Sequence, residues 1–464
     1  MLQAWRHKIV GAVLRRCSHC YYSRRVDFRG TATTASCTGG DRVSPRTMKL
    51  DSPQFRALFT PEVKELVDIF KRHGHELRIA GGAVRDLLMH KQPHDLDFAT
   101  TATPTEMKEM FDNEGVRMIN SRGEKHGTIT ARINDKTNFE VTTLRVDVVT
   151  DGRHAEVEFT TDWHTDANRR DLTVNALFLG LDGTVYDYFH GLEDLEKRRV
   201  AFVGDPARRI QEDYLRILRY FRFYGRIAVE PDSHEPETLT AIRENVGGLA
   251  RISGERLWTE LKKILVGNFS KELVCRIVDV GAAPFLGLPD SPDLHEFCKV
   301  CDASRPLEPQ PTTLLSALLQ NESEVMNMHN RLRLSAYERD LALFVVAHRE
   351  DKKSFEDRLK PFQALLFTTK GKVGDVQEWI CEVLKYRADA ELLERFRCWD
   401  VPKFPVNGNM LLERGLRSGP RFATVLAKLK EMWFDSDFTM TAEQLLEKLP
   451  DILAEVKTSK SKKA

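Results

Sequence analysis

The hydrophobic periodicity of this chain changes once, near residue 190, and that change sets its fold class. Between residues 77 and 190 short alternating runs exchange with helical ones. Leu77 and Ile79 lead into Gly81-Gly82, and a helical run follows from Ala83 to Met89. Asp95-Leu96-Asp97-Phe98 alternates polar with apolar, the pattern of a half-buried strand. Thr103-Pro104-Thr105-Glu106 supplies a cap residue, a first-turn proline and a glutamate three residues after the cap, so a helix starts there. Further alternation covers 128–133 and 139–146, and Asp182-Gly183 between apolar segments predicts a hairpin. Beyond residue 190 the spacing is helical nearly to the end. Ser253 stands where it can cap a helix whose Leu257, Leu261, Ile264 and Leu265 share one face. Residues 284–311 hold six of the 19 prolines, which places a boundary or an irregular connection there. The expectation is an α+β chain, with a small mixed sheet in a head over 48–190. An all-helical remainder follows, divided into 191–283 and 284–464.

A length of 464 residues exceeds one compact core, and 41% hydrophobic with 30% charged residues is a globular composition. No uninterrupted apolar run approaches the roughly 18 residues a membrane helix needs, so no span is expected. Eight cysteines are too few for a secreted disulfide scaffold, which favours a reducing compartment. Cys17-Ser18-His19-Cys20 and Cys298-Lys299-Val300-Cys301 share a zinc-like spacing. A four-ligand site would have to join a basic leader to a helical domain, which argues against structural zinc. Trp258, Trp379 and Trp433 lie in helical stretches and read as core.

The net charge of +1 conceals an asymmetry: residues 1–47 carry +7, the last eight residues +4, and 48–456 carry −10. Residues 1–47 are basic and nearly free of acids, with Ile9, Val10, Val13 and Leu14 grouped on one helical side. That is the composition of an organellar transit peptide. Met48 can serve as a second start that omits the address. A nucleic-acid partner for the −10 body requires local rather than overall basicity.

Asp95 and Asp97, two apart on a strand, would project from one face and form a hard-cation site suited to Mg²⁺ when substrate phosphates complete its shell. Glu140, flanked by Phe139 and Val141, is placed to be a third acid on that face. Alone, Asp-x-Asp is usually a solvated strand face. The preceding Gly81-Gly82-Ala83-Val84-Arg85-Asp86 changes its weight. A glycine turn opening a helix can approach phosphate closely, and Arg85 adds a cationic fork. The spacing is not that of a dinucleotide fold.

Residues 209–226 interleave Glu212, Asp213, Arg216, Arg219, Arg222 and Arg226 with aromatic and aliphatic residues. A salt-bridged amphipathic helix is one reading, supported by Glu212 and Arg216 at i,i+4. The other is base recognition. Asp213 and Arg216, one turn apart, present an acceptor beside donors, complementary to the exocyclic amine and ring nitrogen of cytosine and adenine. Uracil and guanine place a carbonyl against the acceptor and are rejected.

Four ordered motifs then mark a family. Gly81-Gly82-Ala83-Val84-Arg85-Asp86, Asp95-Leu96-Asp97, Arg169-Arg170-Asp171-Leu172-Thr173-Val174-Asn175-Ala176 and Glu212-Asp213-Tyr214-Leu215-Arg216 resemble those of class II CCA-adding enzymes, the animal mitochondrial ones in particular. The resemblance implies a nucleotidyltransferase head, a base-selecting neck and a tRNA-binding body and tail. It implies Asp95 and Asp97 as metal-binding and catalytic residues with Glu140 as the third acid. Gly82, Arg85, Arg170 and Asp171 would contact the nucleotide's phosphates and sugar. Asp213 and Arg216 would read its base, with Arg219 and Arg222 beside them. Arg122–Thr128 matches a mobile segment. The implied partners are CTP, ATP and tRNA lacking all or part of its 3′ CCA, acted on with Mg²⁺ in mitochondria by a monomer or weak homodimer. A poly(A) polymerase of the same superfamily and a non-catalytic tRNA-binding protein are the competing readings.

Overall fold

The computed structural model describes residues 44–119, 121–150, 155–350, 357–416 and 419–454. Ten strands occur among them: β1 (Arg46–Lys49), β2 (Leu77–Ala80), β3 (Asp97–Thr100), β4 (Arg117–Ile119), β5 (Thr128–Ile133), β6 (Thr137–Thr143), β7 (Arg145–Thr150), β8 (Ala155–Phe159), β9 (Phe178–Gly180) and β10 (Thr184–Asp187). Eight form one mixed sheet in the order β1-β10-β9-β2-β3-β6-β5-β4, while β7 and β8 make a separate hairpin. Every neighbouring pair in the large sheet is antiparallel except β3 and β6, whose parallel register sets Asp97 beside Glu140.

Alternation along the strands explains which face is covered. Ile79, Phe98, Ile129 and Val141 turn toward the helices Pro61–Arg72 and Pro104–Asn113, where Leu66, Phe70, Met107 and Phe111 complete a core. Asp97 and Glu140, one residue out of phase with Phe98 and Val141, therefore belong to the opposite face. The Pro104 helix carries the full capping box: Thr103 accepts from the Glu106 N–H and the Glu106 carboxylate accepts from the Thr103 N–H. Gly183, at φ 84°, makes the β9–β10 turn that Asp182-Gly183 predicted.

The remaining described chain is helical. One hydrophobic core runs from Leu172 to Phe396, and a second, centred on Leu429 and Trp433, gathers residues between Val406 and Ile452. The helix Gly254–Leu265 buries Leu257, Leu261, Ile264 and Leu265 as its spacing required, although the Ser253 side chain makes no cap bond. Trp258, Trp379 and Trp433 are buried. No helix among the described residues is long and apolar enough to cross a membrane.

Two boundaries differ from those drawn on sequence. The proline-rich stretch 284–311 does not interrupt the larger core, which uses Leu286, Phe297 and Val300. Pro284 and Pro311 instead occupy first-turn positions, where a missing N–H leaves no backbone bond unmade. At the other end, β1 begins at Arg46, two residues inside the segment read as a leader. Arg46 pairs with Asp187, and Thr47 pairs with Tyr186.

Candidate active site

The opposite sheet face, where Ala80, Ala99 and Phe178 pack on Trp163 and Ala167, and the first helices beyond residue 200 enclose a cleft of about 1060 Å³. Gly81, Gly82, Arg85, Asp97, Glu140, Arg170, Asp171, Asp213, Arg216, Arg219 and Arg222 all line it, so one cavity gathers all but one of the sequence-selected residues. Asp95 is the exception. It lines an adjoining cavity of about 880 Å³ that shares Asp97 and Glu140. The strand begins only at Asp97, where pairing with Glu140 starts, so Asp95 sits in the connection before β3 rather than on it. Pro93, two residues earlier, has no N–H to extend the ladder.

The three carboxylates are exposed, and no described side chain pairs with or hydrogen-bonds to them. Partial burial, then Glu140 and Asp95 nearby, push the Asp97 carboxyl above its ordinary pKa. Mutual repulsion of this kind is what a divalent cation relieves. Among the described residues no three His, Cys, Asp or Glu side chains are grouped so as to hold a metal ion by themselves, so an ion here would need ligands from substrate or water. That donor set fits Mg²⁺, which keeps waters and takes one or two carboxylates together with substrate phosphates.

The cationic side is organised differently. Gly81, at φ 65°, starts the helix Gly82–Leu88, and a Cβ on it would lie 3.1 Å from Arg170 Nη1. Arg85 is only 3% exposed. Its Nε and Nη2 donate to Asp86 Oδ1 at 3.1 and 2.9 Å, and its Nη1 donates to Asn175 Oδ1 at 2.6 Å. Arg85 thus presents a fixed charge rather than a swinging arm. Asp86 Oδ2 accepts from Arg226 at 2.6 Å, tying the glycine-turn helix to the helix Arg216–Ile227. Arg170 is held by Asp166 Oδ2, with Nη2 at 3.1 Å, and by the Asn175 carbonyl. Buried Asp171 accepts from Arg219 Nε at 2.7 Å and from Asn175 Nδ2 at 3.2 Å. Arg219 beside Asp171, with the Asn175 and Leu172 donors, holds this carboxyl below the carboxylate range despite its burial. Arg222 donates to Glu260 at 2.9 Å and stacks over Phe223, with burial pushing its guanidinium down to about 10.

The segment 209–226 is not one helix. It breaks into Pro206–Glu212 and Arg216–Ile227, with Asp213 extended at φ −152° between them. Local chemistry accounts for the break. Asp213 Oδ1 accepts from the Leu215 N–H at 3.1 Å, an alternative to helical bonding that Asp side chains favour. The Tyr214 ring fills the space that a side chain at Gly248 would occupy, 1.9 Å from an added Cβ. Arg216 keeps the i,i+4 pair with Glu212 at 2.7 Å and donates to the Arg169 carbonyl at 2.9 Å.

Several residues were missed by sequence reasoning. Arg256, from the helix Gly254–Leu265, donates to Asp213 Oδ2 at 2.7 Å, and nothing in its spacing announces that contact. Asn175 stands in a quoted motif, yet its role as the link between Arg85 and Asp171 is tertiary. Asp166, which holds both Arg169 and Arg170, is 1% exposed and reads in sequence as a surface acid. Of the cysteine pairs, Cys17 and Cys20 lie outside the described residues, and Cys298 Sγ contacts Cys275 Sγ at 3.6 Å.

Comparison with known proteins agrees with this geometry. Residues 77–201 match the family described as the Poly A polymerase head domain, and residues 234–295 match one described as a probable RNA and SrmB-binding site of polymerase A. The chain is 54% identical over 406 residues to the mitochondrial CCA tRNA nucleotidyltransferase 1 of Danio rerio, covering 87% of this chain and 94% of that one. It is 53% identical over 403 residues to the Homo sapiens protein of the same name, covering 86% and 92% respectively. The crystal structure of the Bacillus stearothermophilus CCA-adding enzyme in complex with CTP superposes with a TM-score of 0.67 at 25% identity, over 89% of this chain and 100% of that one. With over half of the aligned residues identical across nearly the full length of those relatives, the chain belongs to the CCA tRNA nucleotidyltransferases, the CCA-adding enzymes.

Proposed function

We propose that this chain adds C, C and A to the 3′ end of tRNA from CTP and ATP, releasing one pyrophosphate at each addition, with Mg²⁺ as its metal. One observation carries the reading. A single cleft is lined by the carboxylates Asp97 and Glu140, by Asp213 and Arg216, and by arginines fixed through acidic partners.

In this reading the tRNA 3′-hydroxyl lies against the carboxylate end and the nucleotide's base lies against Asp213 and Arg216. The hydroxyl oxygen bonds to the α-phosphorus as the bond to the β-phosphate oxygen breaks. Glu140 orients that hydroxyl and takes its proton. Asp95 and Asp97 would hold Mg²⁺, which would supply Lewis acidity and neutralise phosphate charge there. Arg85 and Arg170, fixed by their own acidic partners, stabilise developing phosphate charge without reorganising. Gly82 leaves the backbone accessible to the triphosphate, and Asp171 sets Arg219 beside the sugar. Asp213 has lone pairs left after its bonds to Leu215 and Arg256, so it can accept from the amine of cytosine or adenine. Arg216 donates to the adjacent ring nitrogen, and Arg222 supports the same wall.

The relatives' names favour a mitochondrial location, with the address within 1–47 and a second form starting at Met48. The chain acts as a monomer or weak homodimer. A poly(A) polymerase remains the second reading because adenine alone would satisfy Asp213 and Arg216, and the head family carries that description. Incubating trimmed tRNA with all four nucleotides and Mg²⁺, then sequencing its 3′ ends, separates the two. Ends that finish at CCA support this reading, and long A tails overturn it.

A further inference from the structure

Arg145, the first residue of β7, lies where the cleft meets the short 3₁₀ segment Ser121–His126. Its Nη1 donates to the His126 carbonyl. Its cross-strand partner on β8 is Phe159, and the Phe159 ring packs on Gly127, where an added Cβ would meet Cε1 at 2.8 Å. Two paired residues of the β7–β8 hairpin thus grip two consecutive residues of the preceding segment. Gly127, at φ 82°, is free of a side chain that would push Phe159 away. Elsewhere the segment is tied down by Glu124, which pairs with Lys108.

The same guanidinium is incompletely satisfied. Arg145 Nε is buried without a hydrogen-bond partner, and the nearest acid, Asp147, stands 3.8 Å away. Arg169 and Arg170 line the cleft beside it, and both already share Asp166. Burial, reinforced by Arg169, pushes the Arg145 guanidinium down to about 10, so it stays charged at neutral pH. A planar fork with donors in hand, bonded to a carbonyl on one side and facing a phosphate-sized cleft on the other, is built to bridge.

We propose that Arg145 is a positioning residue that couples triphosphate occupancy of the cleft to the 121–126 segment, bridging the phosphates and the His126 carbonyl. The inference rests on the nucleotide reading given above, and deepens it. An anion in the cleft completes the donor set of Arg145 and tightens its hold on His126. The segment that borders the carboxylate strands, already held to Arg145 and Lys108, is then held more tightly when a nucleotide is present.

Hydrogen exchange of the full chain, followed on peptides spanning 121–128, tests this with three proteins and three conditions. The proteins are wild type, Arg145→Ala and Arg145→Gln. The conditions are no ligand, inorganic tripolyphosphate and CTP with Mg²⁺. Without ligand, Arg145→Ala should exchange there at least about threefold faster than wild type, while Arg145→Gln, whose amide can still donate to His126, should not. Both anions should slow exchange in wild type, and neither should do so in Arg145→Gln. Peptides from β5 and β6 serve as the control for folding. Equal exchange of wild type and Arg145→Ala without ligand would overturn the latch, and a full ligand response in Arg145→Gln would overturn the coupling. If CTP failed to act while tripolyphosphate slowed wild type and not Arg145→Gln, the coupling would stand and only the nucleotide reading would fall.

Discussion

The two walls of the cleft are built on opposite rules. On the arginine wall Arg85, Arg170, Arg219 and Arg222 each hold an acidic partner, namely Asp86, Asp166, Asp171 and Glu260. On the carboxylate wall Asp97 and Glu140, like Asp95 in the adjoining cavity, are exposed and have no such partner among the described residues. Neutralising a cation in advance fixes its position and lowers the cost of burying it. Leaving acids unpaired keeps a repulsive site that a divalent ion can relieve. One wall is finished by folding, and the other is finished by what binds.

The same isosteric change should therefore act in opposite directions on the two walls. Asp97→Asn is expected to abolish nucleotide incorporation by at least about a thousandfold, in the range of catalytic-group knockouts, measured as labelled CMP transfer to trimmed tRNA. Substantial activity would remove Asp97 from the reaction. Asp171→Asn is the counterpart. It strands Arg219 and should lower unfolding free energy by about 2–3 kcal/mol in urea titration, because breaking a buried pair leaves a charge uncompensated. A neutral effect would mean that the arginine wall is not held by its acids. Gly81→Ala should cost about 1–2 kcal/mol, since it places a side chain at positive φ against Arg170. It should also weaken CTP binding, which calorimetry would read.

The smallest effect tests the sign of the electrostatics. The raised Asp97 pKa means that its ionisation opposes folding, so Asp97→Asn should melt higher at neutral pH by on the order of 1–2 °C. That advantage should vanish as pH falls through the folded pKa of Asp97 and the native carboxyl is protonated. Asp171 has the opposite sign. Its depressed pKa contributes stability above the ordinary carboxylate value, and that contribution is lost as pH falls below it. The two variants should therefore converge on wild type under acid conditions. Adding Mg²⁺ should raise the melting temperature of wild type more than that of Asp97→Asn.

How legible the molecule was in its sequence follows the same division. Periodicity located β5, the capped helix at Pro104 and the apolar face of Gly254–Leu265, because each is a local pattern with a local cause. The candidate site residues were readable as residue types at motif spacing, and all but Asp95 line one cleft. What sequence could not supply was pairing at a distance. Arg256 approaches Asp213 from 43 residues away, and Asn175 reaches Arg85 from 90. The continuous helix expected over 209–226 failed for a related reason. Asp213 bonds its own backbone and Tyr214 needs the vacancy at Gly248, neither of which alters the apolar repeat.

Strand β1 has a consequence for how the finished protein is made. It is the outermost strand on its side of the sheet, and its four residues Arg46–Lys49 cover one edge of β10. A leader cut upstream of Arg46 leaves that cover complete. A chain whose translation begins at Met48 loses the pairs with Asp187 and Tyr186, retaining only those with Val185 and Thr184. Half of a β10 edge that would otherwise be closed is then open to another strand. If the leader and the second start proposed above were both used, the two forms would share one active site and differ in how far this edge is closed.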